Sequence, residues 1–389
     1  MRKPLLILSV LAALALAIFL YLPTFVDERM NAVQTAPPYT VSPRAQALHD
    51  QLFVADLHDD VLLWPRDLRE RHARGHTDLP RLQAGGVSLQ VFTTVTKTPR
   101  GLNFDQNAGD SDNITLLAIA QRWPVRTWNS LLERALHQAN KLHQAARDSN
   151  GQLLVVRTQA ELAAALQGGR RPADRQRVLG VLGTEGLHPL EGRLENIDRL
   201  ADAGFRLMGL THFFDNEIGG SAHGMDKGGL TPFGRQVVQR LQERRLIVDL
   251  AHASPRVIDE VLAISRRPLI VSHTGVQGVC PGPRNLSDAH IRAIAATGGV
   301  IGIGYFKGAV CELSLDKIVQ SIRYVAQLVG IRHVALGSDF DGAIKAVFDT
   351  TGLTLITQGL LDAGFSEADI ADVMGGNVLR LLQVELPAH

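Results

Sequence analysis

The chain has 389 residues, 45% of them hydrophobic, and a formal net charge of +1. That length can bury a sizeable core and suits one large α/β domain. The near-zero charge and 5% aromatic content offer nucleic acid neither a basic patch nor a stacking platform.

Arg2 and Lys3 precede an apolar run from Leu5 to Leu22, broken only by Ser9 and Tyr21. A signal-peptide core usually spans about 7–15 residues, whereas a membrane helix needs roughly 20. No small-x-small cleavage site comes next, since Pro23-Thr-Phe25 stands there. Residues 1–26 are therefore expected to form an uncleaved anchor, with a cleaved signal as the alternative. The basic pair before the run and Asp27-Glu28 after it keep the N-terminus inside, so the body lies outside the cytoplasm. Residues 27–44, with Pro37-Pro38, read as a tether, and 45–389 as the folded domain.

Eight apolar runs then alternate with helical stretches: 52–58, 87–95, 178–185, 204–212, 246–252, 268–273, 299–305 and 333–339. Continuous apolar runs read as parallel strands buried on both faces. The stretch Ser254–Ile264 shows the helical pattern most clearly: a Ser cap, Pro at the first position, and Val257, Ile258, Val261 and Leu262 on one face. Further helices are expected over 128–146, after Ser287 and closed by Gly298, and over 366–382 capped by Ser366. Leu153–Arg157 is a candidate short extra strand, and Arg100–Asn113 a polar surface excursion. Eight strand–helix repeats predict a (β/α)8 TIM-like barrel behind an N-terminal transmembrane helix. An open doubly wound sheet is second, because no Gly-x-Gly-x-x-Gly follows the first strand.

The ends of these runs carry the chemistry. They are His58 (with Asp60 two on), Glu185, His212, His252, His273, Tyr305 and Asp339 (with Asp341 two on). In barrel enzymes the C-terminal rim is the catalytic one, and packing alone does not explain polar endings on seven of the eight runs. Imidazoles and carboxylates suit zinc. His58 and Asp60, at i and i+2 of an extended segment, point the same way and can grip one ion. His252 and His273 can hold a second, with Glu185 bridging. Two ions roughly 3.5–4 Å apart make a hydroxide at neutral pH and polarise a carbonyl. Asp339 then suits a proton shuttle and His212 a donor to the developing oxyanion. His72, His76, His188, His223 and His290 read as solvated or supporting positions. Cys280 and Cys311 do not have metal-site spacing and form one disulfide or none.

Several segments carry a resemblance: Asp56-Leu-His58-Asp-Asp60, Gly183-Thr-Glu185-Gly186, Leu210-Thr-His212, Val248-Asp-Leu-Ala-His252, Val271-Ser-His273, Cys280-Pro-Gly-Pro-Arg284-Asn285, Gly337-Ser-Asp339-Phe-Asp341-Gly342 and Gly375-Gly-Asn377-Val-Leu-Arg380. In this order, from about residue 45 to 383, the chain resembles the membrane (renal) dipeptidase family of zinc enzymes. The resemblance implies two zinc ions per subunit on His58, Asp60, Glu185, His252 and His273. It makes His212 a substrate and transition-state contact and Asp339 the acid/base. Arg284 would hold the free C-terminal carboxylate of a dipeptide. Asn285 and Tyr305 are further candidate substrate contacts, Tyr305 reading as packing or a rim hydrogen bond rather than as a catalytic group. Leu57 and Asp59 replace the family's usual Gly and Asn without touching the ligands, and the 100–113 excursion has no counterpart. Mammalian members are lipid-anchored at the C-terminus; here the expected anchor is N-terminal. The implied setting is a bacterial inner membrane with the body in the periplasm, and a homodimer is left open. Lactone or β-lactam hydrolysis on the same metal site, or a peptide-binding barrel without catalysis, are the rival functions.

Overall fold

A computed structural model describes residues 2–167 and 176–388. Met1, 168–175 and His389 lie outside it, and with them the outermost residues of the expected anchor and domain. The strands are β1 (Val54–Asp59), β2 (Val87–Val95), β3 (Leu153–Val155), β4 (Val178–Glu185), β5 (Phe205–Gly209), β6 (Ile247–Asp249), β7 (Ile270–Thr274), β8 (Val300–Ile303) and β9 (Val334–Leu336). All neighbouring strands pair in parallel, and β2 pairs with β4, which closes eight of them into a barrel. The eight barrel strands are the eight apolar runs. β3 is the extra strand; it pairs the first residues of β4, Val178–Gly180, below the point where β5 takes over at Leu182. Leu89, Val181, Leu207, Ile247, Ile270 and Val300 share one buried cluster across six barrel strands. The interior is thus a packed core with the polar residues left at one rim.

Local signals in the helices act as their chemistry dictates. Ser254 caps Pro255–Ile264 by accepting from the Val257 N–H, and Ser287 caps Asp288–Ala296 by accepting from the His290 N–H. The expected C-terminal helix is split instead. Glu367–Ala371 and Asn377–Glu385 flank a π-type turn over Asp372–Gly376. A Cβ at Gly375 would lie 2.2 Å from the Phe53 carbonyl oxygen, so the missing side chain lets the turn press onto the start of β1.

The N-terminal helix, α1 (Arg2–Met30), carries within Leu6–Met30 an 18-residue apolar stretch of mean hydropathy 2.6, only 6% of it buried. The segment after α1 is not a free tether. The backbone N–H groups of Gln34 and Thr35 donate to the Ala346 and Val347 carbonyls at 2.8 and 3.0 Å. Tyr39 Oη lies 3.3 Å from Asp349 Oδ1. Asp27, one of the acidic pair that follows the apolar run, is fully buried between Arg66 and Arg74, each at 3.0 Å. Cys280 and Cys311 form a disulfide joining the segments after β7 and β8.

Candidate metal centre

Each candidate ligand reaches the rim through a local device written next to it in the sequence. Asp56 accepts from the His58 N–H at 3.0 Å and from the Ser338 hydroxyl at 3.0 Å, tying the end of β1 to that of β9. Asp249 accepts from the Ala251 and Ser272 N–H groups at 3.0 and 2.8 Å, doing the same for β6 and β7. His58, Glu185 and His273 lie within strands; His212, His252 and Asp339 follow strand ends by three residues. His252 and Asp339 have φ of 62° and 63°. That left-handed conformation is uncommon outside glycine but tolerated by His and Asp, and it turns both side chains back over the barrel mouth.

All the expected ligands converge. Glu185 Oε1 lies 3.5 Å from His58 Nε2, 3.1 Å from His252 Nε2 and 3.4 Å from His273 Nε2. Its other oxygen, Oε2, is 3.4 Å from His212 Nε2. The Nε2 atoms of His252 and His273 stand 3.0 Å apart. Asp60 Oδ2 and Asp339 Oδ1 lie 3.6 and 3.8 Å from His58 Nε2. Two overlapping groups share Glu185: His58, His273 and Asp339 on one side, His212 and His252 on the other. The sequence pairing of His252 with His273 is one way of dividing these ligands; the geometry also sets His58 beside His273, their ring centroids 3.8 Å apart.

The electrostatics describe a site built for cations. Burial lowers the His58 imidazole, but Glu185 and Asp60 outweigh it and hold it well above its usual range. Burial, with Arg284 nearby, keeps His252 well below, and burial with His58 and Arg284 does the same for His273. Burial and Asp60 push Glu185 up to about 7 against the pull of His58. Burial raises Asp339 well above a normal carboxyl; Glu185 and Asp60 add to this while His58 and Arg284 oppose it. Three carboxyls and buried imidazoles thus crowd until protons must supply positive charge, which divalent ions would supply instead. Asp60 Oδ2 is buried with no hydrogen-bond partner among the described residues, while Thr93 donates to its Oδ1 at 2.6 Å. An oxygen oriented by one hydrogen bond and open at the other is the disposition of a metal ligand. The residues therefore fit divalent metal ions.

Arg284 lies at the edge of this centre, 3.5 Å from His252 Nε2, donating to the His273 carbonyl at 2.7 Å. Its Nε has no hydrogen-bond partner among the described residues. Two expected substrate contacts are not brought to the centre. Asn285 spends its amide on the backbone, accepting from the Gly275 N–H and donating to the Cys280, Gly308 and Ala309 carbonyls. Tyr305 is fully buried, with Phe340 and Phe348 against its ring and its hydroxyl unpartnered among the described residues. Sequence reading missed an aromatic wall. Phe213 packs on His212 and His252, and His223 stacks on Phe213. Phe104, from the supposed surface excursion, packs against Phe213 and accepts through its carbonyl from His223 Nδ1 at 2.7 Å. Phe213 directly follows a strand-end histidine, a signal that was available; nothing local marks Phe104.

Comparison with known proteins agrees with the geometry. The family model for membrane dipeptidase (peptidase family M19) matches residues 42–388. Dipeptidase aclJ of Aspergillus oryzae is 28% identical over 88% of this chain and 80% of its own length. Among solved structures, the probable dipeptidase PvdM from Pseudomonas aeruginosa has a TM-score of 0.72 at 20% identity, covering 89% of this chain and 99% of that one. A metallo peptidase from Rhodobacter sphaeroides, liganded with a phosphinate mimic of the dipeptide L-Ala-D-Ala, has a TM-score of 0.68 at 23% identity, covering 86% and 99%; these two likenesses show the shared fold. With nearly the whole barrel matched, the chain belongs to the membrane dipeptidase family, peptidase family M19, whose members are hydrolases acting on peptide bonds.

Proposed function

We propose that this protein is a zinc-dependent dipeptidase that cleaves the single peptide bond of free dipeptides. The observation that carries the reading is Glu185 Oε1, lying 3.5, 3.1 and 3.4 Å from three buried imidazole nitrogens. His58, Asp60, Glu185, His252 and His273 would hold two ions, with Glu185 shared between them. Bound zinc supplies a Lewis acid for the carbonyl and lowers the pKa of water toward neutrality. The chain supplies the rest. His212, held neutral by burial, donates an N–H to the carbonyl oxygen as charge develops there. Asp339 carries a proton to the leaving amine. Arg284 pairs its planar fork with the substrate's free carboxylate. Phe104 and Phe213 exclude water from the mouth.

The same reading places the chain in a bacterial inner membrane, with α1 as a single span through residue 26 and the body (45–389) in the periplasm. The length and exposure of the apolar helix support this, as does the disulfide, which suits an oxidising compartment.

Turnover of L-L and L-D dipeptides, a β-lactam and a lactone, with zinc removed and restored, tests the reading. Free dipeptides are expected to be hydrolysed, with activity lost on chelation and regained with zinc. Zinc-loaded protein that opens only the lactone or β-lactam would overturn it. Arg284→Ala should raise KM for free dipeptides about 10- to 100-fold, the worth of a charged hydrogen bond, and barely change it for C-terminally amidated ones. Equal losses on both would remove the assigned role.

A further inference from the structure

The end of α1 is fixed to the catalytic rim. Asp27 pairs with Arg66, in the segment after β1, and Arg66 also pairs with Asp341 at 2.7 Å, two residues beyond Asp339. Val33 bridges to Ala346, in the segment after β9. Both anchoring segments leave the C-terminal ends of their strands, the end that carries His58 and Asp339. The apolar run closes at Leu22, five residues before Asp27. At 1.5 Å per helical residue that is roughly 8 Å of chain. A barrel held so close to the bilayer by this rim has the rim turned toward the membrane.

A second feature lies on the same side. Val26 of α1 packs on a cluster containing Ile114, Ala118 and Trp123. Those residues belong to the long insert between β2 and the helix Leu131–Asp148. The outer side of the insert leaves Leu116 49% and Val125 70% exposed, with Leu102 and Phe104 at 40% and 38%. Among the described residues outside α1, the only other exposed large apolar side chains are Met225 and Val384. Met225 adjoins the same insert, its carbonyl accepting from Gln106. Exposed apolar surface is therefore concentrated beside the emerging helix rather than scattered. Arg122, exposed three residues before Val125, adds a positive charge of the kind anionic headgroups attract, while Arg126 is paired with Glu133 at 2.8 Å.

We propose that the insert of residues 100–130 is a second membrane contact. Leu116 and Val125 enter the headgroup region of an anionic phospholipid bilayer, so that the catalytic mouth faces the membrane surface. This rests on the reading of α1 as a membrane span.

The described residues contain no free cysteine, so a single introduced thiol can carry a polarity-sensitive fluorophore. The full chain would be labelled at Leu116→Cys, at Val125→Cys or, as control, at Gln51→Cys, an exposed site just before β1 at the opposite end of the barrel. Each protein is reconstituted in phosphatidylcholine–phosphatidylglycerol vesicles containing a headgroup-level spin-labelled lipid. The chain should float with the vesicles, and emission should fall about twofold or more at 116 and 125 while holding steady at 51, as for groups seated in the interface. Flotation without quenching at 116 and 125, or with equal quenching at 51, overturns the second contact and leaves the span intact. Failure to float overturns the span, and the contact with it.

Discussion

Glu185→Gln is expected to strip the centre of metal and reduce kcat/KM by more than about 10³-fold, beyond the cost of losing a single transition-state donor. The substitution preserves volume and burial, so packing does not account for a loss. It removes the carboxylate that stands within 3.5 Å of His58, His252 and His273 together. An amide offers one weak oxygen where a bridging ligand needs two charged ones. Metal content by atomic absorption should fall to one ion per chain or fewer, with the circular dichroism spectrum unchanged. Glu185→Gln protein retaining two ions and full turnover would refute the bridge. The wild-type pH dependence has a definite sign. With Glu185 pushed up to about 7 by burial and Asp60, metal binding must displace its proton at lower pH. Apparent affinity should therefore weaken as pH drops through 7.

Arg66→Met should cost about 3–5 kcal/mol of stability, the penalty for leaving buried charges without their partner. Arg66 has a fully buried side chain and sits 3.0 Å from Asp27 and 2.7 Å from Asp341, both also fully buried. Its loss leaves Asp341 with His76 and the His76 and Thr77 N–H groups, and Asp27 with Arg74. Urea unfolding of the detergent-solubilised chain reads the effect; a change below about 1 kcal/mol, ordinary for a surface site, would contradict it. Burial alone would raise Asp341, but Arg66 and His76 hold it far below the usual carboxyl range. A depressed carboxyl contributes stability that is complete above its unfolded value near 4 and lost as pH falls below that. The acid limb of wild-type stability should therefore be steeper than that of Arg66→Met.

The barrel and most of its centre could be read from the chain because the relevant patterns are local. A strand buried on both faces needs an unbroken apolar run, and a polar residue ending that run at the C-terminal side is a candidate for the rim. His58, Glu185, His212, His252, His273 and Asp339 were found this way, without knowing which strands were neighbours. The caps at Ser254 and Ser287 were legible for the same reason, each bonding three residues ahead.

The features that stayed hidden depend on partners distant in sequence. Asp27 stands in the sequence only as one of an acidic pair after an apolar run, and folding alone sets Arg66 and Arg74 beside it. Asn285 lies next to Arg284 in a recognisable motif, yet its amide is fully engaged by carbonyls on either side of the disulfide. Tyr305 ends its run like the other rim residues and reads as a packing position, yet which rings it packs against, Phe340 and Phe348, is set only by the fold. Phe104 belongs to a polar excursion and closes over His223. The sequence determined which groups stand at the rim, through patterns repeated within a few residues. The tertiary structure alone decided which of them meet and what lies against the N-terminal helix, because burial and charge pairing are settled by elements the chain brings together only on closing the barrel.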